Sequence, residues 1–370
     1  MSIMRSLAAG ISSVTGARSP FLPPTSSLNR IVLEDLYPDA DPDTLDELLP
    51  LDRRTAMNVP AIAKARHMIV TAIAGLPLLQ VGSDGTIVPE AEAPLTIPDP
   101  GRPRAVTLAW TVDAMFHYGR AWWVVLDRLP DGRPRYARWV AEHQVTVDRD
   151  GHGVELDGKP IDPADLIRFD ALHGGILHDG GLTIRRARRT EAAAARAADN
   201  PVASVELHQV DGEPMQKDEI DELIRRWADA RRGKNGGVAY SNQYIEVRTH
   251  GQPAEQLLID GRNASALDIA RVCGVPAWAV DASVAGSSLT YSNVPSRSRE
   301  LLDYTLRGYL DAITGRLDMD DLTPHGRRHR FDVTRLLAGD FRDRMEAGKV
   351  AIEAGIYDAA EIRDLDDDIH

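Results

Sequence analysis

Cysteine is nearly absent: Cys273 stands alone in 370 residues. One thiol excludes an intrachain disulfide and any cysteine-rich metal site. Its spacing from Ala266, Ile269 and Ala270 puts it on an apolar helical face, so a buried core thiol is expected, and a reducing compartment fits. No stretch approaches the roughly eighteen apolar residues that a membrane span needs, so no membrane partner is expected. Residues 1–17 carry Arg5 before a short apolar patch, but Gly10 and several serines break it, and export is not expected. Basic charge is in deficit as well. Against 56 Asp and Glu there are 43 Lys and Arg, for a net charge of −13. Tight nucleic-acid binders neutralise phosphates with Lys and Arg, so this chain should repel DNA on average. That excludes a reader of DNA sequence, though not a surface that DNA slides past.

A catalytic set is also missing. Residues 153–160 (GVELDGKP) end in Pro160 where a phosphate-binding loop needs a hydroxyl and the start of a helix, and Asp157-Gly158 has the composition of a hairpin turn. Asp148 and Asp150 open like a calcium loop, but the later carboxylates do not follow. His173 and His178 lack a third convergent ligand, which favours a solvated loop over a metal site. Ser287 and Ser288 follow Gly286 without the G-x-S-x-G pattern or an assignable His or Asp partner. Asn263-Ala264-Ser265 matches a glycosylation sequon without meaning inside a helix. No catalytic residue, metal ligand or cofactor site is assigned.

What is present is a readable order of elements. Residues 1–50 are rich in Pro, Ser and Asp, and read as an arm ordered, if at all, by contact with something else. Ile62, Ile69 and Ile73 mark a helix that Gly75-Leu76-Pro77 stops, and Asp84-Gly85 suggests a hairpin. A helix over about 106–117 leads into the strand AWWVVLDRL, and turn signals then separate short strands, so residues 51–180 read as one α+β domain. Residues 173–181 (HGGILHDGG) read as a glycine-rich hinge opening an Ala- and Arg-rich helix.

A β-α-β-β insert follows, with strands VASVELHQV, GGVAYS and YIEVRTH. Its helix carries Ile220, Leu223, Ile224 and Trp227 on one face. Trp227→Ala is expected to cost about 3–5 kcal/mol, as a large core truncation does. A second helix over 253–274 has Gly261 as a weak point. After the small polar stretch 283–293 (SVAGSSLTYSN), Leu302, Leu306, Tyr309, Ile313 and Leu317 place one stripe along a long helix. Residues 322–337 read as a strand returning to the first domain, and an acidic helix pair closes the chain.

Four phrases in this order carry a resemblance: VPAIAKARHMIVTAIAGLPLLQV, LTIPDP, MFHYGRAWWVV, and ALDIARVCGVPAWAV followed by LTYSNVPSRSRELLDYTLRGYLDAITGRL. With the architecture, they resemble the portal proteins of tailed bacteriophages with HK97-like heads, over roughly residues 55–340. The fold class this implies is α+β: a ring-forming portal fold with an α/β wing, helical stem, small α/β clip insert and short helical crown. Carried onto this chain, 1–50 is the arm, 51–180 the first part of the wing, and 181–200 a stem helix. The clip is 201–252, a second stem helix 253–280, and the tunnel loop 281–294. The long helix and wing return take 295–336, and 337–370 is a crown shorter than the family pattern.

The resemblance implies a ring of about twelve copies at one capsid vertex, conducting DNA during packaging and ejection. It implies double-stranded DNA, the large terminase, the head–tail adaptor, and the major capsid and scaffold proteins as partners. It places the protein in the virion, and in the host cytoplasm during assembly, with no enzymatic activity. Loop residues expected near DNA are Ser283, Gly286, Ser287, Ser288, Thr290, Tyr291 and Asn293. Arg225, Trp227, Arg231 and Arg232 are expected at a clip partner or subunit interface, and Arg185, Arg188, Asp268 and Arg271 on the stem. Residues 283–293 hold no Lys or Arg, and small hydroxyls and amides offer DNA only weak, exchangeable hydrogen bonds. A serine-dependent hydrolase using Ser287 or Ser288, and a monomeric adaptor module, are the competing readings.

Overall fold

Helix α1 (Pro60–Ala74) opens with proline at its first position, where a missing N–H costs nothing, and buries Ile62, Ala65, Ile69 and Ile73. It comes from a computed structural model that describes residues 51–147, 154–199, 204–212, 215–231, 245–250, 255–283, 294–337 and 341–367. The chain divides into two units, Thr190–Gly261 and the segments on either side of it.

In the larger unit, strand β1 (Leu78–Gly82) turns back through Asp84 and Gly85, with Val81 bridged to Ile87. This is the hairpin that Asp84-Gly85 signals. Helix α2 (Arg104–Tyr118) packs on α1 and ends at Gly119 in the left-handed conformation, φ 72°. Strands β2 (Arg120–Arg128), β3 (Pro134–Val140) and β7 (Leu166–Asp170) form an antiparallel sheet with β2 in the centre. A small meander of β4 (Val145–Val147), β5 (Val154–Leu156) and β6 (Lys159–Ile161) precedes β7.

The strand period of two divides β2 cleanly. Ala121, Trp123 and Val125 face the main core, while Trp122 and Val124 face a second one with Val140, Leu156 and Leu166. Trp123 is fully buried, its ring 4.5 Å from that of Phe169 and its indole N–H donating to Thr111 Oγ1 at 2.7 Å. The large ring is therefore buried without an orphaned donor.

Two buried carboxylates tie neighbouring segments of this unit together. Asp113 on α2 accepts a bidentate pair from Arg53 (2.8 and 3.1 Å) and a bond from Arg66 Nε (2.5 Å). His117 lies 3.6 Å away. Burial alone would raise the Asp113 carboxyl, but the His117 and Arg53 partners outweigh it and hold it far below the usual range. Asp99, in the Pro-rich connection, is also held low against its burial by Arg138, the Gly101 N–H and Arg102.

The glycines of 173–181, read as a hinge, also permit a close backbone contact. A Cβ on Gly175 would lie 2.4 Å from Gly119 N, and one on Gly119 would lie 2.6 Å from Gly174 C. Two backbone turns touch here, leaving no room for side chains. The segment then forms a short helical turn, Ile176–Asp179, and runs straight into α3 (Gly181–Asp199).

The smaller unit has strands β8 (Ser204–Gln209) and β9 (Ile245–His250), paired antiparallel with Ser204 opposite His250. Between them lies helix α4 (Lys217–Arg231), with Asp218 and Glu219 in its first turn. The expected strand GGVAYS falls outside the described residues. The face of Ile220, Leu223, Ile224 and Trp227 is only partly covered within the chain: Ile220 is 41% and Ile224 55% exposed, and Trp227 is half-buried. Half-burial leaves part of the Trp227 ring open to a partner, in line with its expected place at an interface and short of a full core position.

Helix α5 (Glu255–Cys273) passes through Gly261 without a break. It ends at Gly274, φ 63°, the left-handed residue that closes a helix end. Cys273 is buried beside Ile269 and Ala270, as its spacing predicts. Helix α6 (Val294–Leu301) widens into one π-helical turn, Leu302–Leu306, before α7 (Arg307–Leu317). The predicted stripe of Leu302, Leu306, Tyr309, Ile313 and Leu317 is buried throughout.

Strand β10 (Arg327–Phe331) then returns to pair with β1, Leu78 opposite Phe331, so the larger unit is closed by segments from both sides of the smaller one. Helices α8 (Phe341–Glu353) and α9 (Ala359–Asp367) form a terminal hairpin, α9 capped by the Asp358 carboxylate on the Ala360 and Glu361 amides.

Candidate functional site

The stretch between α5 and α6 concentrates the geometry of interest. Of the expected loop residues, Ser283 is described, while Gly286, Ser287, Ser288, Thr290, Tyr291 and Asn293 lie outside the described residues. The segments on either side of 284–293 are pinned to helices. A 3₁₀ turn, Ala277–Val280, follows Pro276 and stops at Asp281 in the left-handed conformation, where Lys64 of α1 pairs with it at 3.2 Å. Ala282 N donates to Ala277 O, and Ala282 is buried.

Ser283 is then grasped by Asn263 on α5. Asn263 Nδ2 donates to Ser283 O at 2.8 Å, and Asn263 Oδ1 accepts from Ser283 N at 2.9 Å and from its hydroxyl at 3.1 Å. On the far side, Trp278 Nε1 donates to Glu300 Oε2 at 2.9 Å, and the Arg297 guanidinium lies 5.6 Å from the Trp278 ring. One step below, Thr305 in the π turn donates its hydroxyl to Gly274 O at 2.6 Å. The two ends of the loop are thus tied to each other as well as to the core.

A cleft of about 250 Å³ lies beneath, lined among others by His173, Cys273, Thr305 and Tyr309. His173 Nδ1 accepts from Gly175 N (3.0 Å), so its Nε2 carries the proton and donates to Tyr309 Oη at 2.9 Å. Burial lowers the His173 imidazole and pushes the Cys273 thiol up to about 12 and the Tyr309 phenol higher still. At neutral pH all three are uncharged, and the thiol is not a nucleophile. Among the described residues no group of His, Cys, Asp and Glu is placed to hold a metal ion.

The stem and clip residues sit apart from this cluster. Asp268 and Arg271 pair with each other at 2.6 Å on an exposed turn of α5, a contact of little energetic weight. Arg185 and Arg188 lie on α3 beside the buried Ile184 and Ala187. Arg225 reaches Glu222 at 3.7 Å, while Trp227 buries an indole N–H that has no partner among the described residues. The Arg231 side chain and Arg232 lie outside them. Asn263 is the residue that sequence reasoning missed. Its only sequence signal is that Asn is a poor helix former in mid-helix.

The family model described as phage portal protein matches residues 60–367. The chain belongs to the phage portal protein family. Portal proteins of this family are structural components of the capsid, not enzymes. Among solved structures, an HK97 family phage portal protein from Corynebacterium diphtheriae is 31% identical, with 78% of this chain and 97% of that chain aligned at a TM-score of 0.62. Two chains from gene transfer agent particles share the portal fold at lower identity. One, from the native virion, is 16% identical over 96% of this chain and 97% of that one, TM-score 0.59. The other, from the neck of a native particle computed with C12 symmetry, is 17% identical over 96% and 97%, TM-score 0.58. No curated protein matches. The α+β portal fold expected from the sequence is the fold this portal chain has.

Proposed function

We propose that this portal chain assembles into a closed ring of about twelve copies at one vertex of a phage capsid, and that double-stranded DNA passes through the ring during packaging and ejection. The observation that carries this reading is the family match over residues 60–367, combined with a polar loop flanked by the Asn263–Ser283 and Trp278–Glu300 bonds. The C12 symmetry of the gene transfer agent neck supports the ring.

Within it, 51–180 and 295–336 act as the wing, 181–200 and 253–280 as the stem, 201–252 as the clip, 281–294 as the tunnel loop and 337–370 as part of the crown. The loop faces the DNA. A moving duplex must be centred without being held, and each fixed Lys or Arg contact with phosphate would add affinity. Residues 283–293 supply hydroxyls, amides and backbone, and no cation.

The clip's half-covered face, which includes Ile220, Ile224 and Trp227, meets a neighbouring copy or a docking partner, with Arg225, Arg231 and Arg232 acting at the same interface. The large terminase occupies the clip during packaging and the head–tail adaptor afterwards. The wing rim meets the major capsid and scaffold proteins. The protein resides at the portal vertex of the virion, after assembly in the host cytoplasm.

The test is to shorten the loop by deleting residues 286–291 in the context of particle assembly. Rings and capsids should form in normal yield, while packaged or retained DNA falls sharply. Rings that fail to form would make the segment structural, and full packaging would remove the loop from the DNA path.

A further inference from the structure

A side-chain amide has the same donor and acceptor pair as a peptide group. In this chain Asn263 uses that property on one residue. Its Nδ2 donates to the Ser283 carbonyl at 2.8 Å, and its Oδ1 accepts from the Ser283 N–H at 2.9 Å. Ser283 is thereby satisfied on both backbone groups, as it would be beside a paired strand, although the partner here is a side chain on a helix. The Ser283 hydroxyl adds a third bond to the same oxygen at 3.1 Å.

Neither neighbouring chemistry can do this. Aspartate keeps the acceptor and lacks the donor, so its carboxylate would repel the Ser283 carbonyl oxygen. Glutamine carries the same groups one methylene too far along. Ser283 is also the last described residue before 284–293, and buried Ala282 immediately precedes it.

We propose that Asn263 is a positioning residue for the polar stretch after Ser283: by pairing with Ser283 as a surrogate strand, it fixes the Ser283 backbone from which residues 284–293 continue the chain. In a ring of identical copies the same bond pattern would repeat around the axis, so one amide per copy fixes the circle from which all the loops start. This consequence rests on the reading of the loop as DNA-facing. The pairing itself does not.

The test is hydrogen–deuterium exchange, read at single residues on the assembled full-length chain, with DNA packaging measured in parallel. In Asn263→Ala the Ser283 amide should exchange about tenfold faster, because a hydrogen bond that closes local opening is gone, while melting and ring yield stay as in the parent. Ser283→Ala removes only the hydroxyl bond, so its residue-283 amide should remain protected. Asn263→Asp should fall between the two, and it answers the question if the alanine variant does not fold.

Unchanged Ser283 exchange in Asn263→Ala, or equal exchange in the two alanine variants, would overturn the proposal. Faster exchange with a loss of packaging supports both the anchor and the DNA-facing reading. Faster exchange with packaging intact supports the anchor and overturns the DNA-facing reading.

Discussion

At the residue scale, Asp113 carries more of the fold than its place in the sequence suggests. Two partly buried guanidiniums and a buried histidine converge on one carboxylate that solvent does not reach. Removing one member of such a cluster leaves the others buried without counter-charge. Asp113→Asn should therefore cost about 3–5 kcal/mol of unfolding free energy in urea at neutral pH. The acid dependence has a definite sign. Asp113 and Asp99 are both held below the ordinary aspartate value of about 3.9. Their contribution is therefore complete above that pH and is lost as pH falls through their folded values. Thermal melting of the native chain should drop below about pH 4, and Asp113→Asn should flatten that drop. An acid profile identical to that of the parent would remove Asp113 from the account.

At the element scale, what the sequence showed and what it hid separate on physical grounds. Helical and strand periodicities exposed α1, α2, β2 and the long stripe of α7, because a half-buried element leaves its period in the chain. The π turn at Leu302–Leu306 left no such mark, since it adds no Gly or Pro, and its buried Leu302 and Leu306 stand four apart as in an α-helix. Composition marked the glycines of 173–181 but not the close backbone contact between Gly119 and Gly175, which joins positions far apart in the chain. Asn263 was illegible because its partner is twenty positions away and its role depends on a loop position.

Helix α4 shows a different gap: periodicity found the apolar face but not what covers it. With Ile220 and Ile224 exposed, Trp227→Ala should cost only about 1–2 kcal/mol in the dissociated chain, roughly half of a full core truncation. It should instead raise the protein concentration at which rings assemble. A full core-sized loss in the dissociated chain, with assembly unchanged, would place that face inside the subunit.

At the scale of the whole molecule, the charge balance and the family match point the same way. A net charge of −13 makes the chain repel DNA on average, which suits a conduit and not a clamp. The family match spans residues 60–367, a range that takes in both units. Closed rings require heterologous interfaces, in which one surface meets a different surface of the next copy, so a partly covered apolar face such as that of α4 needs no matching twin. The most direct measurement of the central claim is the mass and image of the purified full-length particle, by light scattering and negative-stain microscopy. The account predicts closed rings of about twelve 40.6 kDa chains around a hole wide enough for a duplex. A monodisperse species of one chain, with no rings at any concentration, would contradict it.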